Sequence, residues 1–577
     1  MIKFRRKLIA ALITALLLTT TSTTAFAADN DGWTEANKTD TSTWDNWCDT
    51  WETIKDSPIQ MSLTPGRNAT ELNFAWYSKD NEATPKLKMS KKQDMSDATN
   101  LTVTVNSAVS GFKSNKATAT QLEENTTYYY SYEVNGKWSD ATLYKTQSTK
   151  SFSFIFVGDP QIGSSSGNIA TGSAIEQGQD IATRNDSFNW NNTINTALTA
   201  HPSVSFMLSA GDQIQSRDKK NPSQTYDQNE IEYSGYLSPA ALKSLPVATT
   251  IGNHDAPSGN YSFHFNNPNA STLGLTEAGG DYYYSYGNTL FIMLNTNSNN
   301  IAEHKQLIEK AVSENKDAKW RIVTVHQDIY GSGEHSNEPE ISNLRYSLIP
   351  IFDDNNIDVV FSGHDHTYSR SFILKGAIKD ESKMITEDEF DNYIDGITQI
   401  DSKYNDYIAS IGDSNAVQTV TNKDGNVVNP KGTLYITGNS ASGSKYYDTV
   451  KQQQPYIAKS WQEDIPTYST IDIDEENLTI NTYRTDNGEK IDDTFSIFKT
   501  VDTLSSNDIV VNTGEISTTT TTTITATPTS TATTTNNVKT GDNFNIYTVL
   551  IGILSLATLV YLKKKKNLPH TNTHPQW

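Results

Sequence analysis

A chain of 577 residues, 35% of them hydrophobic, is too long for one core and has the length of about three or four folded units. Its formal net charge of −21 makes nucleic acid and anionic membrane surfaces poor partners for the bulk of the molecule. The single cysteine, Cys48, excludes an internal disulfide framework and leaves His, Asp, Asn and other oxygen donors as material for a metal site.

Both ends read as addresses. Residues 1–27 place Lys3, Arg5, Arg6 and Lys7 before an apolar run at 8–18 and close on Ala25-Phe26-Ala27, the layout of a secretory signal peptide. That run is too short to span a bilayer. At the far end, 501–536 is expected to form a stalk, since 518–535 is almost all Thr with too little apolar surface to fold. Asn537-Val538-Lys539-Thr540-Gly541 follows, then an apolar span from 544 to 562 and the lysines at 563–566. This order at 537–566 resembles a Gram-positive sortase signal, in which the chain is cut between Thr and Gly and joined to peptidoglycan. Asn537 and Val538 stand where the usual LPxTG has Leu and Pro, so a plain transmembrane anchor, also suited by the basic inner flank, stays open. A tail, 567–577, ends the chain. The expectation is secretion to the cell surface or wall of a Gram-positive bacterium, with peptidoglycan as covalent partner, or retention in the membrane.

The segment 28–55 is polar, with Trp44, Trp47 and Trp51 spaced as one face of a helix that docks on a domain. From 56 to 149 short strands alternate with turn signals such as Pro65-Gly66 and Asn135-Gly136, which predicts a β-sandwich. The TTYYYSYEV run resembles the late strands of a fibronectin type III-like domain.

From 150 to 500 the grammar changes. Apolar strands predicted at 152–157, 203–208, 246–251, 320–325 and 357–361 run into GDPQ, GDQ, GNHD, VH and GHDH. Helices are predicted between them, at 187–200 and 303–315. Alternating strands and helices with polar residues at the strand ends are the layout of an α/β sandwich that places ligands at its strand termini. Taken singly, Asp159 and Asp212 could be turn residues and Asn253 a helix cap. Turns alone do not explain why acids, an amide and three histidines all end strands.

These ordered motifs resemble the calcineurin-like metallophosphoesterases and, with the β-domain before them, the purple acid phosphatase branch. The resemblance implies a four-layer α/β/β/α domain and two divalent or trivalent metal ions, with Fe, Zn or Mn as candidates. It implies that Asp212 bridges both ions, Asp159 and His366 complete the first site, and Asn253, His326 and His364 the second. It leaves His254 to meet the phosphate or protonate the leaving oxygen, and offers His335 as a substrate contact. Phosphate-ester cleavage suits such a centre, because paired cations lower the pKa of bound water and clamp an in-line displacement. The implied reaction is hydrolysis of a phosphate monoester by a metal-activated hydroxide. A phosphodiesterase or nucleotidase of the same fold is the alternative, and so is a surface adhesin with a structural metal site. The substrate would be a small phosphate ester or nucleotide, with no nucleic-acid binding.

Two positions depart from the family pattern. Gln161 stands where many relatives have histidine, and Gln215 where purple enzymes have the tyrosine that ligates ferric iron. Gln161 and Asp255 are candidates for weak ligation or support. Arg370, in a Tyr-x-Arg after GHDH, is expected to be a structural ion-pair partner rather than a phosphate clamp. An acidic, helical insertion at about 375–428 is a candidate lid.

Overall fold

The structure, a computed structural model, describes residues 32–36, 41–57, 60–216, 224–225, 229–412, 415–501 and 509–512. The expected signal peptide, most of the stalk, the sorting signal with its span, and the tail lie outside the described residues. Among those described, no helix is long and apolar enough to cross a membrane. Ile509–Asn512 falls inside the expected stalk yet pairs as a strand with Thr419–Asn422, its Ile-Val-Val run being of the apolar β-branched kind that sheets favour.

The β-rich segment is a sandwich of two antiparallel sheets. One runs Ser62–Pro65, Leu72–Lys79, Phe112–Ala119, Val103–Ser107; the other is built on Leu87–Ser90 and Thr127–Val134. Inward residues of both sheets meet edge to face, with Trp76 against Tyr132 at 5.8 Å and Phe74 against Tyr130 at 5.1 Å. The strand Phe112–Ala119, FKSNKATA, carries no apolar alternation, and sequence reasoning does not find it. Its polar side chains are turned to the following domain, where Ser114 Oγ donates to Phe263 O and Lys116 Nζ to Ser262 O and Phe265 O. Trp44, Trp47 and Trp51 do share one face of a helix, Thr41–Ile54. Trp44 packs edge-on against Phe188, and the fully buried Trp51 donates to Asp180 Oδ1 at 2.6 Å.

The next domain stacks a nine-stranded and a seven-stranded sheet. Phe152–Val157, Phe206–Ser209 and Val247–Thr249 lie parallel in the first; Thr289–Met293, Trp320–Thr324, Val359–Ser362 and Leu434–Thr437 lie parallel in the second. Between the sheets Phe154 stacks on Phe206 at 5.1 Å and meets Phe361 edge-on at 6.2 Å. The helix Gln179–Ala200 covers one outer face through Trp190 and Ile194; Ile301–Glu314 and Pro339–Asp354 cover the other through Leu307, Leu348 and Phe352. The order of layers is therefore α/β/β/α. The first helix starts well before the predicted 187 because its early turns are polar but buried: Asp186 Oδ2 accepts the N–H groups of Gly163 and Ser165, tying the loop after the first strand to the helix. The insertion forms two helices, Glu387–Ile394 and Ser402–Ile411, around its own small core, then adds Thr419–Asn422 and Val427–Val428 to the nine-stranded sheet.

Candidate metal centre

The parallel strands of both sheets end at one edge, where residues 438–441 run against Gly158. Past each strand the backbone turns hard. Asp159, Asp212, His364 and His366 all adopt left-handed φ, at 24°, 48°, 73° and 48°. Side chains other than glycine rarely hold this conformation unless the surrounding structure imposes it, and such strain gathers at functional sites. The motifs brace one another. The His364 N–H donates to both oxygens of Asp159, at 3.0 and 2.9 Å, and the His254 N–H donates to Asp212 Oδ1 at 2.9 Å.

One set of donors converges tightly. His326 Nε2 lies 2.8 Å from Asn253 Oδ1, 3.2 Å from His364 Nδ1 and 3.3 Å from Asp212 Oδ2; Asn253 Oδ1 lies 3.1 Å from His364 Nδ1. Metal bonds of about 2.0–2.2 Å place neighbouring donors about 2.8–3.5 Å apart, and these separations match such spacing. The tautomer agrees. His326 Nδ1 donates to Ala210 O at 3.0 Å, which fixes the ring so that Nε2 is the nitrogen turned to Asn253, Asp212 and His364. Such a cluster of acceptors needs positive charge at its middle, and a cation fits it.

The second set is looser. Asp159, Asp212 and His326, all buried, bring one donor atom each to within 4.8 Å of one another. His366 Nε2 stands 3.8 Å from Asp159 Oδ1, while its Nδ1 donates to Lys445 O at 2.8 Å and so fixes the ring for ligation through Nε2. Gln161 is buried beside them; its Nε2 donates to Gln215 Oε1 at 3.1 Å, and its own Oε1 has no hydrogen-bond partner. That orphaned oxygen fits a cation or its water. The two departures from the family pattern are thus bonded to each other, and Gln215 Nε2 continues to His254 Nδ1 at 3.3 Å.

Without a cation these buried donors share protons instead. Burial pushes the Asp159 carboxyl up to about 8, with His326 pulling it down and the charge of Asp212 adding to the push. Burial also works to raise Asp212, but His326 and His254 overcome it and hold this carboxylate below its usual range. His326 is desolvated, yet Asp212 beside it raises it to about 9. Burial, with His335 for His364 and Lys445 for His366, drives those two imidazoles well below the ordinary histidine value, so both present neutral ring nitrogens.

The remaining sequence candidates separate. His335, buried, sets its ring centroid 4.6 Å from that of His364, and its Nδ1 pairs with Glu338 Oε1 at 2.6 Å. Glu338 escaped sequence analysis, although a His-x-x-Glu spacing in a tight turn is the signal that finds it. His254 is half-buried against Gln215, with its Nδ1 3.1 Å from Gln215 O. Asp255 braces the GNHD turn through the Gly252 N–H at 2.9 Å. Arg370 holds Asp492 with two bonds, at 2.6 and 3.1 Å, the structural ion pair expected of it. Asp365, between the two histidines of GHDH, was given no role by the sequence; it accepts the N–H groups of Gly333 and His335 at 2.7 and 3.1 Å and so ties the His335 loop to the centre.

Comparison with known proteins agrees with this fold. Residues 152–368 match the calcineurin-like phosphoesterase family and residues 58–146 the N-terminal domain of purple acid phosphatases. Purple acid phosphatase 5 of Arabidopsis thaliana is 25% identical over 175 residues, 30% of this chain and 39% of its own length. Purple acid phosphatase 19 of the same plant is 29% identical over 138 residues, 22% of this chain and 35% of its own. An uncharacterized protein of Mycobacterium tuberculosis is 31% identical over 64 residues, 11% of this chain and 12% of its own. The chain thus spans well under half of each of these curated relatives. A purple acid phosphatase from yellow lupin seeds shares the fold, with a TM-score of 0.53 at 15% identity over 77% of this chain and 75% of that one. The chain carries a calcineurin-like phosphoesterase domain preceded by a purple acid phosphatase N-terminal domain.

Proposed function

We propose that this chain is an exported, surface-anchored phosphoesterase that hydrolyses small phosphate monoesters. The observation that carries the reading is the convergence of Asp159, Asp212, Asn253, His326, His364 and His366 at one edge of the paired sheets, four of them with donor atoms at coordination spacing. Asp159, Asp212 and His366 would hold one cation and Asp212, Asn253, His326 and His364 the other. Bound there, the pair would supply Lewis acidity toward the phosphoryl oxygens and a nucleophile at neutral or acid pH. Asn253 is exposed, so the centre is open to substrate on that side. His335 opposes its own burial with the Glu338 carboxylate and is raised to about 9, which keeps it an imidazolium at neutral pH, able to donate to a phosphate oxygen. His254 is turned by Gln215 and stands beside Asp212, where it can pass a proton to the leaving oxygen.

The purified full chain is expected to cleave an aryl phosphate and to contain close to two equivalents of Fe, Zn or Mn. Asn253→Ala should lose about 100-fold or more in kcat/KM together with one equivalent of metal. A wild-type chain that binds metal without turnover would make the centre structural and the protein an adhesin. Export and anchoring rest on residues 1–27 and 537–566; Thr540→Ala should leave the chain out of the cell-wall fraction, and unchanged wall attachment would refute the sortase route.

A further inference from the structure

The insertion reaches the site through one short turn. His335–Asn337 is a single 3-10 turn without a side-chain cap, too short to hold its own shape. Its second half is held from the insertion instead. The Tyr407 hydroxyl, fully buried on the helix Ser402–Ile411, donates to Asn337 O at 2.7 Å and lies 3.3 Å from Ser342 Oγ. Gln454 Nε2 donates to Asn337 Oδ1 at 3.0 Å and to Ile408 O of the same helix at 3.3 Å. Arg345, buried between the rings of Tyr330 and Tyr456, joins both partners: Nη1 donates to Ile411 O at 2.7 Å and Nη2 to Ser336 O at 2.9 Å. Ser336 and Asn337 directly follow His335, whose ring packs on His364.

We propose that Tyr407 is a positioning residue for His335, and that the insertion braces the substrate-facing turn rather than opening and closing over it. The hydroxyl fixes the Asn337 carbonyl, the carbonyl fixes the turn, and the turn sets the distance from the His335 imidazole to a phosphate held beside His364. This rests on the reading of His335 as a substrate contact. It also explains why an acidic insertion has a buried aromatic core of its own: a brace has to be rigid.

Tyr407→Phe keeps the ring and its packing and removes only the hydroxyl. In the full chain it should cut kcat on an aryl phosphate by about 10-fold while metal content stays at the wild-type level. In a His335→Ala background the same change should cost nothing more, because nothing is left to position. Equal losses in both backgrounds, or no loss in either, would overturn the proposal. Hydrogen exchange at the 335–338 amides, which needs no turnover, should quicken in Tyr407→Phe and likewise in Gln454→Ala. Unchanged exchange in both variants would overturn the brace on its own. A wild-type chain without activity would instead defeat the phosphoesterase reading, and the exchange rates would still decide whether the turn is held by the insertion.

Discussion

A Cβ placed on Gly252 would stand 2.0 Å from Asp212 Oδ1 and 2.2 Å from the Asp212 backbone nitrogen, and one on Gly363 would stand 2.3 Å from Asp159 Oδ2. Each glycine lets the backbone of one motif lie directly on the carboxylate of another, which is how two strand ends are brought this close. A flexible side chain could swing aside, but a backbone nitrogen cannot. Gly252→Ala should therefore displace Asp212 and weaken metal binding by about 10- to 100-fold, read as metal content after dialysis against a weak chelator. Full retention of both equivalents would show that the glycine serves the turn alone. At this scale the donors were legible in the sequence, since each follows an apolar run and has a residue type that can bind a cation. The carbonyls of Ala210 and Lys445, which fix the His326 and His366 tautomers, were not legible, because a backbone oxygen leaves no trace in residue identity. Gln161 and Gln215 could be read as two departures but not as one bonded pair, which requires the fold to bring together positions 54 residues apart.

The strand Phe112–Ala119 shows the same limit one level up. Alternation of apolar and polar residues marks a strand only when one face meets water. Here the polar face meets another domain, so the pattern that reports a strand is absent although the strand is fully paired with Leu72–Lys79. Burial at that contact lowers Lys116 to about 8 from an ordinary 10.5. Between those values the unfolded chain holds a proton that the folded chain has released, so stability contributed by this residue rises as pH climbs from about 8 toward 10.5. Below pH 8 both states carry the charge and the desolvation penalty is present in full. Wild type should gain on Lys116→Met across that window by about 2–3 kcal/mol in urea unfolding, the order expected from the lowered pKa. A stability difference flat from pH 7 to 10 would place the ammonium in water instead of at the domain contact. The layered domain was legible for the opposite reason: its parallel strands are buried on both faces and read as unbroken apolar runs.

Across the whole molecule, composition announces separate units, and it does not reveal how firmly the sandwich and the phosphoesterase domain are joined. Tyr77 of the sandwich stacks on His264 at 4.4 Å and donates to Glu230 Oε1 at 3.2 Å; His264 Nε2 meets Glu230 Oε2 at 2.8 Å, and Asn260 Nδ2 donates to Glu230 Oε1 at 2.8 Å. Tyr130 adds a bond to Lys243 O at 2.8 Å, and Gln60 one to Ser234 O at 2.9 Å. Glu230 is buried at the contact, so separating the domains would take the Tyr77 hydroxyl from a buried carboxylate and the Tyr77 ring from His264, a loss larger than that of an exposed ion pair. The two domains should then unfold together, giving one calorimetric transition whose van't Hoff and calorimetric enthalpies agree. A cation held at the proposed centre would sit at strand ends of the second domain, yet it would favour the native state of everything coupled to it. A chelator should therefore move the single transition to lower temperature as one peak. If the sandwich melted in a separate peak that ignored the chelator, the Glu230 cluster would be a contact between independent modules, and the sandwich could not be part of what keeps the metal centre in shape.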